Sequence, residues 1–299
     1  MLTPQFKTPR LAKIIGLKNE LYLKREDLHP YGSHKGRSIP LMIEKYAKEK
    51  LRDFVVSSSG NAALASALYI SEYNKRHPQK SLTLKIFVGK NIEKEKMKNL
   101  KRTIRGKKFI ILSQTANPKQ SAFQMEKNNL AKNLRQSTDD SALIGYKKLA
   151  AELSKIKNLS AVFIPTSSGA TAQAIYLSFK KIGINPQIHI VQTTACHPIA
   201  DEINKDEEQT IENTKKSLAS AIVDKIAHRK KEVSEAVKKS NGDGWIINDQ
   251  EIKTAIKITE KTTGIKISPN SALSMAGLSQ AVKQGRQFSG SVVCLLTGK

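Results

Sequence analysis

Residues 55–63 read Val55-Val56-Ser57-Ser58-Ser59-Gly60-Asn61-Ala62-Ala63, and residues 162–172 read Val162-Phe163-Ile164-Pro165-Thr166-Ser167-Ser168-Gly169-Ala170-Thr171-Ala172. In each, a short apolar run breaks into a hydroxyl-rich turn and then opens a helix of small residues. A strand feeding a helix through a polar turn is half of a crossover unit. Repeated crossover units build a mostly parallel sheet covered on both faces. The rest of the chain keeps the alternation. Strands are predicted at Leu21–Lys24, Phe54–Val56, Leu82–Val88, Phe109–Leu112, Ala161–Ile164, Ile188–Val191 and Ser291–Leu296. Helices are predicted at Ser38–Lys50, Asn61–Tyr73, Glu93–Leu100, Pro118–Leu134, Ser141–Leu153, Ala172–Lys181, Asp249–Thr263 and Asn270–Lys283. The charged span Asp201–Ser217 yields no element. There is no repeat of fixed period and no low-complexity linker, so the fold class is α/β and any domain boundary follows from topology.

Composition bounds the function. At 299 residues, with 39% hydrophobic and 26% charged residues, the chain has the make-up of a globular protein. No apolar run approaches the roughly 20 residues of a membrane span. The opening MLTPQFKTPR lacks the apolar core of a signal peptide. Cys196 and Cys294 stand far apart, which fits neither a disulfide framework nor a metal site. A cytoplasmic location without membrane or metal is the expectation. The abnormal number is charge: 51 Lys+Arg against 26 Asp+Glu, a formal +25. Such a surplus attracts anions. The lysines are spread along polar faces (Lys94, Lys96, Lys98; Lys147, Lys148; Lys230, Lys231; Lys238, Lys239), and aromatics are only 5%. A nucleic-acid partner is therefore not expected, for want of a basic arm or a stacking platform; a solvated lysine-rich surface is the plainer account, and the surplus agrees with a small anionic substrate.

In open parallel sheets ligands sit beyond the carboxyl ends of the strands. Four segments reach that edge. The first, Lys24-Arg25-Glu26-Asp27-Leu28-His29-Pro30-Tyr31-Gly32-Ser33-His34-Lys35-Gly36-Arg37, runs from a strand into a helix. Lys35 lies among Gly32, Ser33 and Gly36, which let a ligand approach the backbone. A lysine at a helix N-terminus is misplaced for the macrodipole. The same field favours the neutral amine that Schiff-base chemistry needs; a surface lysine in a polar loop is the plainer alternative. In the second, the hydroxyls of Ser57–Ser59, Gly60 and the N–H groups of a helix opening at Asn61 make a cradle for a carboxylate or phosphate, against an ordinary helix cap. The third, Thr166–Thr171, repeats the design and suits phosphate. It is neither a Walker loop nor a dinucleotide fingerprint. The fourth is Val292–Lys299, where an apolar strand delivers Thr297 to the carboxyl edge, or is simply the last strand of a sheet.

The order and spacing of these segments resemble the fold-type II pyridoxal 5′-phosphate (PLP) enzymes of the tryptophan synthase β-like superfamily, over nearly the whole chain. The resemblance implies an α/β fold of two three-layer αβα domains with mostly parallel sheets. It implies a larger phosphate-binding domain at 1–35 and 141–299, and a smaller mobile domain at 36–140 carrying the carboxylate loop. LYLKREDLHPYGSHKGR is similar to the segment whose lysine holds PLP, implying Lys35 as Schiff-base and catalytic lysine. SSSGNAALASA implies Ser58, Ser59, Gly60 and Asn61 at the substrate carboxylate, with Asn61 also facing the cofactor's 3′-hydroxyl. PTSSGATAQAI implies Ser167, Ser168, Gly169, Ala170 and Thr171 at the cofactor phosphate, though with less glycine than relatives carry. LLTG implies Thr297 at the pyridine nitrogen.

Within the family, SLASAIVDKIAHRKKEV, ISPNSALSMAGL and LLTG look most like threonine synthase. SSSGNA is equally like serine/threonine dehydratase, and His34 before Lys35 is similar to the tryptophan synthase β chain. The resemblance thus implies a PLP-dependent lyase of amino-acid biosynthesis, threonine synthase-like, and a homodimer. A dehydratase or cysteine synthase-like enzyme is the first alternative. A non-catalytic PLP- or RNA-binding protein is the second.

Overall fold

The computed structural model describes residues 2–205 and 212–298. Residues 206–211 of the span Asp201–Ser217 lie outside the described residues. In chain order the elements begin β1 (Gln5–Lys7), α1 (Pro9–Ile14), β2 (Leu21–Arg25), α2 (Lys35–Lys48), β3 (Asp53–Ser57), α3 (Asn61–Arg76) and β4 (Thr83–Gly89). They continue as α4 (Lys94–Ile104), β5 (Ile110–Thr115), α5 (Pro118–Lys127), β6 (Lys132–Asn133), α6 (Ser141–Ile144), α7 (Lys147–Leu153) and β7 (Leu159–Pro165). The rest are α8 (Ala170–Lys181), β8 (Gln187–Thr193), α9 (Pro198–Ile203), α10 (Lys230–Lys239), β9 (Gly244–Ile247), α11 (Asp249–Thr263), α12 (Pro269–Lys283) and β10 (Ser291–Leu296).

Two compact units divide these elements, Met1–Leu28 with Tyr146–Lys299, and His29–Gly145. In the first, six strands run β1-β2-β10-β7-β8-β9, with only β1 antiparallel. Phe163, Cys294 and Leu296 face a core shared with Leu273 and Met275 of α12 and Ile252 of α11. Neighbouring residues such as Val162, Ile188 and Val293 are buried too. Burial on both faces is what nearly continuous apolar strands such as SVVCLL require. In the second unit, β5-β4-β3-β6 are all parallel. Phe54, Val56, Ile86 and Val88 pack on Ile39 and Ile43 of α2 and Ala63 and Ile70 of α3. Val55 and Phe87 pack the other way, on Ala122 of α5. Helix, sheet and helix form three layers in this unit.

Several boundaries differ from the sequence expectation for local reasons. The helix expected over Pro118–Leu134 stops at Lys127. Asn129 turns left-handed (φ +54°) and the Leu130 N–H reaches back to Met125 O at 2.9 Å, a Schellman-type stop that frees the chain to form β6. The helix expected over Ser141–Leu153 is interrupted at Gly145 and Tyr146, between α6 and α7; glycine is required at 145, where any Cβ would run into Arg37 O and Ser38 Cα. The units meet in sequence at 28/29 and 145/146, where the resemblance implied 35/36 and 140/141, so Lys35 belongs to the unit His29–Gly145. β1, α1, β6, α9, α10 and β9 were not expected; the three strands are only two to four residues long, and β9 pairs with β8 more than fifty residues earlier.

Candidate active site

The unit His29–Gly145 carries two of the four segments. Lys35 is half-buried and is the first residue of α2. Its N–H donates to Ser33 Oγ at 3.3 Å, and Ser33 is fully buried. The turn before it is built on His29, which is also buried: Nδ1 accepts the Tyr31 N–H at 3.2 Å, and His29 O accepts the Gly32 N–H at 2.7 Å. Gly32 is left-handed (φ +79°), and a Cβ at Gly36 would overlap the His29 ring. Glycine at 36 is thus required by packing beneath Lys35, rather than by openness above it.

The Ser58–Asn61 turn leaves β3 and enters α3. Gly60 is the N-cap and no side chain caps the helix. The Gly60 N–H donates to Ser58 Oγ at 3.2 Å, and space is open where a Gly60 Cβ would point. Ser58, Ser59, Gly60 and Asn61 are all half-buried. Helix N–H groups without a cap, opening onto free space, are receptive to an anion. The register adds a neighbour that sequence reasoning missed. β6 pairs parallel with β3, and the Leu134 N–H donates to Val55 O at 2.9 Å. Arg135 and Gln136 therefore leave β6 at the same edge of this sheet as Ser58–Asn61 leaves β3. Tyr31 bridges the loop before α2 to α3, its hydroxyl bonded to Glu72 and its ring edge-on to Tyr69. Burial, then the Glu72 carboxylate, push the Tyr31 hydroxyl well above the usual phenol range.

The other unit carries the remaining two segments. Thr166 is buried, with its N–H on Val191 O at 2.9 Å and its hydroxyl on Ile164 O at 2.8 Å. Ser167 and Ser168 are half-buried, while Gly169, Ala170 and Thr171 are buried. Gly169 is the N-cap of α8 at φ +87°, where a Cβ would come within 2.5 Å of Val233. No side chain caps α8 either. Thr297 is buried just past β10. Cys294 lies opposite Phe163, so β10 and β7 end at one level of the sheet and deliver Thr297 and Thr166 to the same edge.

Three residues of ISPNSALSMAGL hold this edge, and sequence reasoning had missed them as supports. Ser268 Oγ donates to Gly298 O at 2.6 Å, and Ser271 Oγ at 2.7 Å. Ser271 Oγ also accepts the Gly298 N–H at 3.1 Å. Asn270 Oδ1 accepts the Ala221 N–H at 2.9 Å. The legible signal was Ser268 before Pro269, a helix-entry pair; what the serines grip was not legible. Cys196 and Cys294 form no disulfide and both are buried. Burial pushes the Cys294 thiol far up, out of the thiolate range. Among the described residues no group of His, Cys, Asp and Glu is arranged to hold a metal ion.

Against known proteins, the sequence model of the family described as "Pyridoxal-phosphate dependent enzyme" matches residues 2–298. The chain belongs to that family. Its cofactor is pyridoxal 5′-phosphate, as the resemblance implied. A threonine synthase of Methanosarcina acetivorans is 28% identical over 308 residues, covering 99% of this chain and 74% of the relative. A biosynthetic L-threonine dehydratase of Haemophilus influenzae is 24% identical over 310 residues, covering 99% of this chain and 56% of the relative. Among solved structures, a PLP-dependent aspartate racemase superposes with a TM-score of 0.82 at 19% identity, over 100% of this chain and 90% of the racemase. That likeness concerns the fold, which is the fold-type II α/β architecture.

Proposed function

We propose that this PLP-dependent enzyme is a lyase of the threonine synthase type, turning O-phosphohomoserine and water into threonine and phosphate. The Cγ–O bond breaks, phosphate leaves, and the oxygen of water ends on Cβ. The observation that carries the proposal is likeness to threonine synthase across 99% of the chain. It is supported by the uncapped α3 N-terminus with Arg135 at the same sheet edge, a place for an anionic substrate.

The residues present fit the cofactor. The α8 N-terminus, the Ser167 and Ser168 hydroxyls and the small Gly169–Ala170 pair suit its phosphate, with Thr171 completing the set. Thr297 would offer a neutral hydroxyl to the pyridine nitrogen. Lys35 is the proposed covalent anchor, and Asn61 would face the 3′-hydroxyl. When bound, the cofactor supplies an electron sink for charge at the substrate Cα. Ser58–Asn61 hold the substrate carboxylate and so fix the Cα–H direction. The Lys35 ε-amine would serve as general base toward the substrate Cα proton. A cytoplasmic location and a homodimer are parts of the same proposal. No helix among the described residues is long and apolar enough to cross a membrane.

The test is to supply O-phosphohomoserine and L-threonine separately, reading phosphate with threonine in one assay and 2-oxobutyrate in the other. Phosphate and threonine formed in step support the proposal. Turnover of L-threonine to 2-oxobutyrate without phosphate release would favour the dehydratase, a second possibility supported by the Haemophilus influenzae relative. Lys35→Ala should lose the visible absorbance of lysine-bound cofactor; an unchanged band would remove Lys35 from its role.

A further inference from the structure

The loop Thr166–Thr171 contains one glycine, yet it is held from outside by an irregular segment at 217–229. Ser217 Oγ and the Leu218 N–H both donate to Asp249 Oδ1, at 2.7 and 2.9 Å, and the Ala221 N–H donates to Asn270. The segment then reaches the loop: the Val223 and Asp224 N–H groups donate to Ser167 Oγ at 3.2 and 3.3 Å. A hydroxyl has two lone pairs and one hydrogen. With both lone pairs engaged, Ser167 is left to act as a donor, the polarity a phosphate oxygen needs.

The segment ends at Arg229, which is buried and immediately precedes α10. Its Nη1 donates to Gln173 Oε1 at 2.9 Å. Gln173 closes the first turn of α8, its N–H on Gly169 O at 3.0 Å. Arg229 Cβ also lies 3.6 Å from where a Gly169 Cβ would stand. One guanidinium thus ties the segment that orients Ser167 to the helix turn that presents the loop N–H groups. Charge-assisted hydrogen bonds of this kind are short and directional.

We infer that Arg229 is a positioning residue for the phosphate loop, bracing α8 through Gln173 so that the loop N–H groups are held in place. The inference rests on Ser167–Thr171 being the cofactor-phosphate loop. It concerns phosphate recognition, not the rest of the cofactor, so its test compares PLP with pyridoxal, which lacks the phosphate.

The full chain, stripped of cofactor, is titrated with each compound, with inorganic phosphate as competitor, for the parent protein, Arg229→Met, Gln173→Met and the double variant. Each single variant should weaken PLP about tenfold or more, as loss of a hydrogen bond to a charged group does, and change pyridoxal less than about twofold. Because both changes remove the same bond, the double variant should be no worse than the poorer single one. Equal weakening of PLP and pyridoxal, or additive losses in the double variant, would overturn the inference and leave Arg229 a purely structural residue. Gln173→Met decides the matter if Arg229→Met does not fold. A parent protein that binds pyridoxal as well as PLP and is indifferent to inorganic phosphate would refute the loop assignment itself, and the inference with it. A parent preference for PLP that survives in both variants would overturn the inference alone.

Discussion

Gly36→Ala is the sharpest available probe of how Lys35 is held. A Cβ at this position would lie 2.8 Å from Tyr31 Cβ and would overlap the His29 ring outright. Carbon atoms rest at about 3.5–4.0 Å, so the His29–Tyr31 turn must retreat by roughly 1 Å. That movement breaks the Tyr31 N–H bond to His29 Nδ1 and pulls on the turn preceding Lys35. Overpacking of this kind costs about 1–3 kcal/mol, or about 2–4 °C in Tm per kcal/mol for a domain of 150–250 residues. The functional effect should exceed the stability effect, because a 1 Å misplacement of a reacting group costs on the order of 100-fold in rate. The assay is kcat for whichever substrate is turned over, beside PLP affinity and Tm. Gly36→Ala/His29→Ala opens room beneath the new methyl and should recover part of the lost rate relative to Gly36→Ala. If Gly36→Ala keeps parental kcat and Tm, the packing argument is wrong. If the double variant is no better than the single, His29 is not what glycine accommodates.

Two further outcomes follow from the other unit. Ser271→Ala removes one donor to Gly298 O and the acceptor of the Gly298 N–H, all buried, and should cost about 1–3 kcal/mol with weakened PLP binding through Thr297; parental Tm and PLP affinity together would show that the serine pair does not hold that edge. His189 is fully buried, stacked on Phe163, with Trp245 Nε1 donating to its Nδ1 at 3.1 Å. Burial, with Arg286 adding to it, pushes the imidazole down from 6.5 to about 3. Below pH 6.5 the unfolded chain takes up a proton there and the folded one does not, so the neutral ring's contribution declines as pH falls from 6.5 toward 3, at a limiting slope of about 1.4 kcal/mol per pH unit. Denaturant titrations followed by Trp245, the sole tryptophan, should show a shallower decline over that window for His189→Phe than for the parent; identical slopes would rule His189 out as the source.

Much of the fold was legible because its determinants are local. Strands such as β7 and β10 are runs of apolar residues ending in hydroxyl turns. Asp249–Thr263 announced both ends: Asn248 and Glu251 form a reciprocal capping box, and Gly264 closes the helix left-handed. The candidate site was legible as segments for the same reason, since a Ser/Gly-rich turn between strand and helix carries its chemistry in its own residues. What failed to show was whatever one segment does to another. α5 and the stretch from α6 to α7 have good helical periodicity on either side of their breaks. The first break depends on Asn129 turning left-handed; at the second, Arg37, more than a hundred residues earlier, leaves no room for a side chain at Gly145.

By itself, then, the sequence determined the α/β class, the family and the four segments at strand ends, because period, turn chemistry and small-residue spacing are written within a few residues of each other. Only the tertiary structure decided that β10 lies between β2 and β7, so that Thr297 shares an edge with the loop after β7. It alone decided that Ser268 and Ser271 grip Gly298, and that Arg229 reaches Gln173 across 56 residues of chain. Those are packing and hydrogen-bond choices between distant segments, and their energies are set by which groups become buried together, which no local pattern encodes.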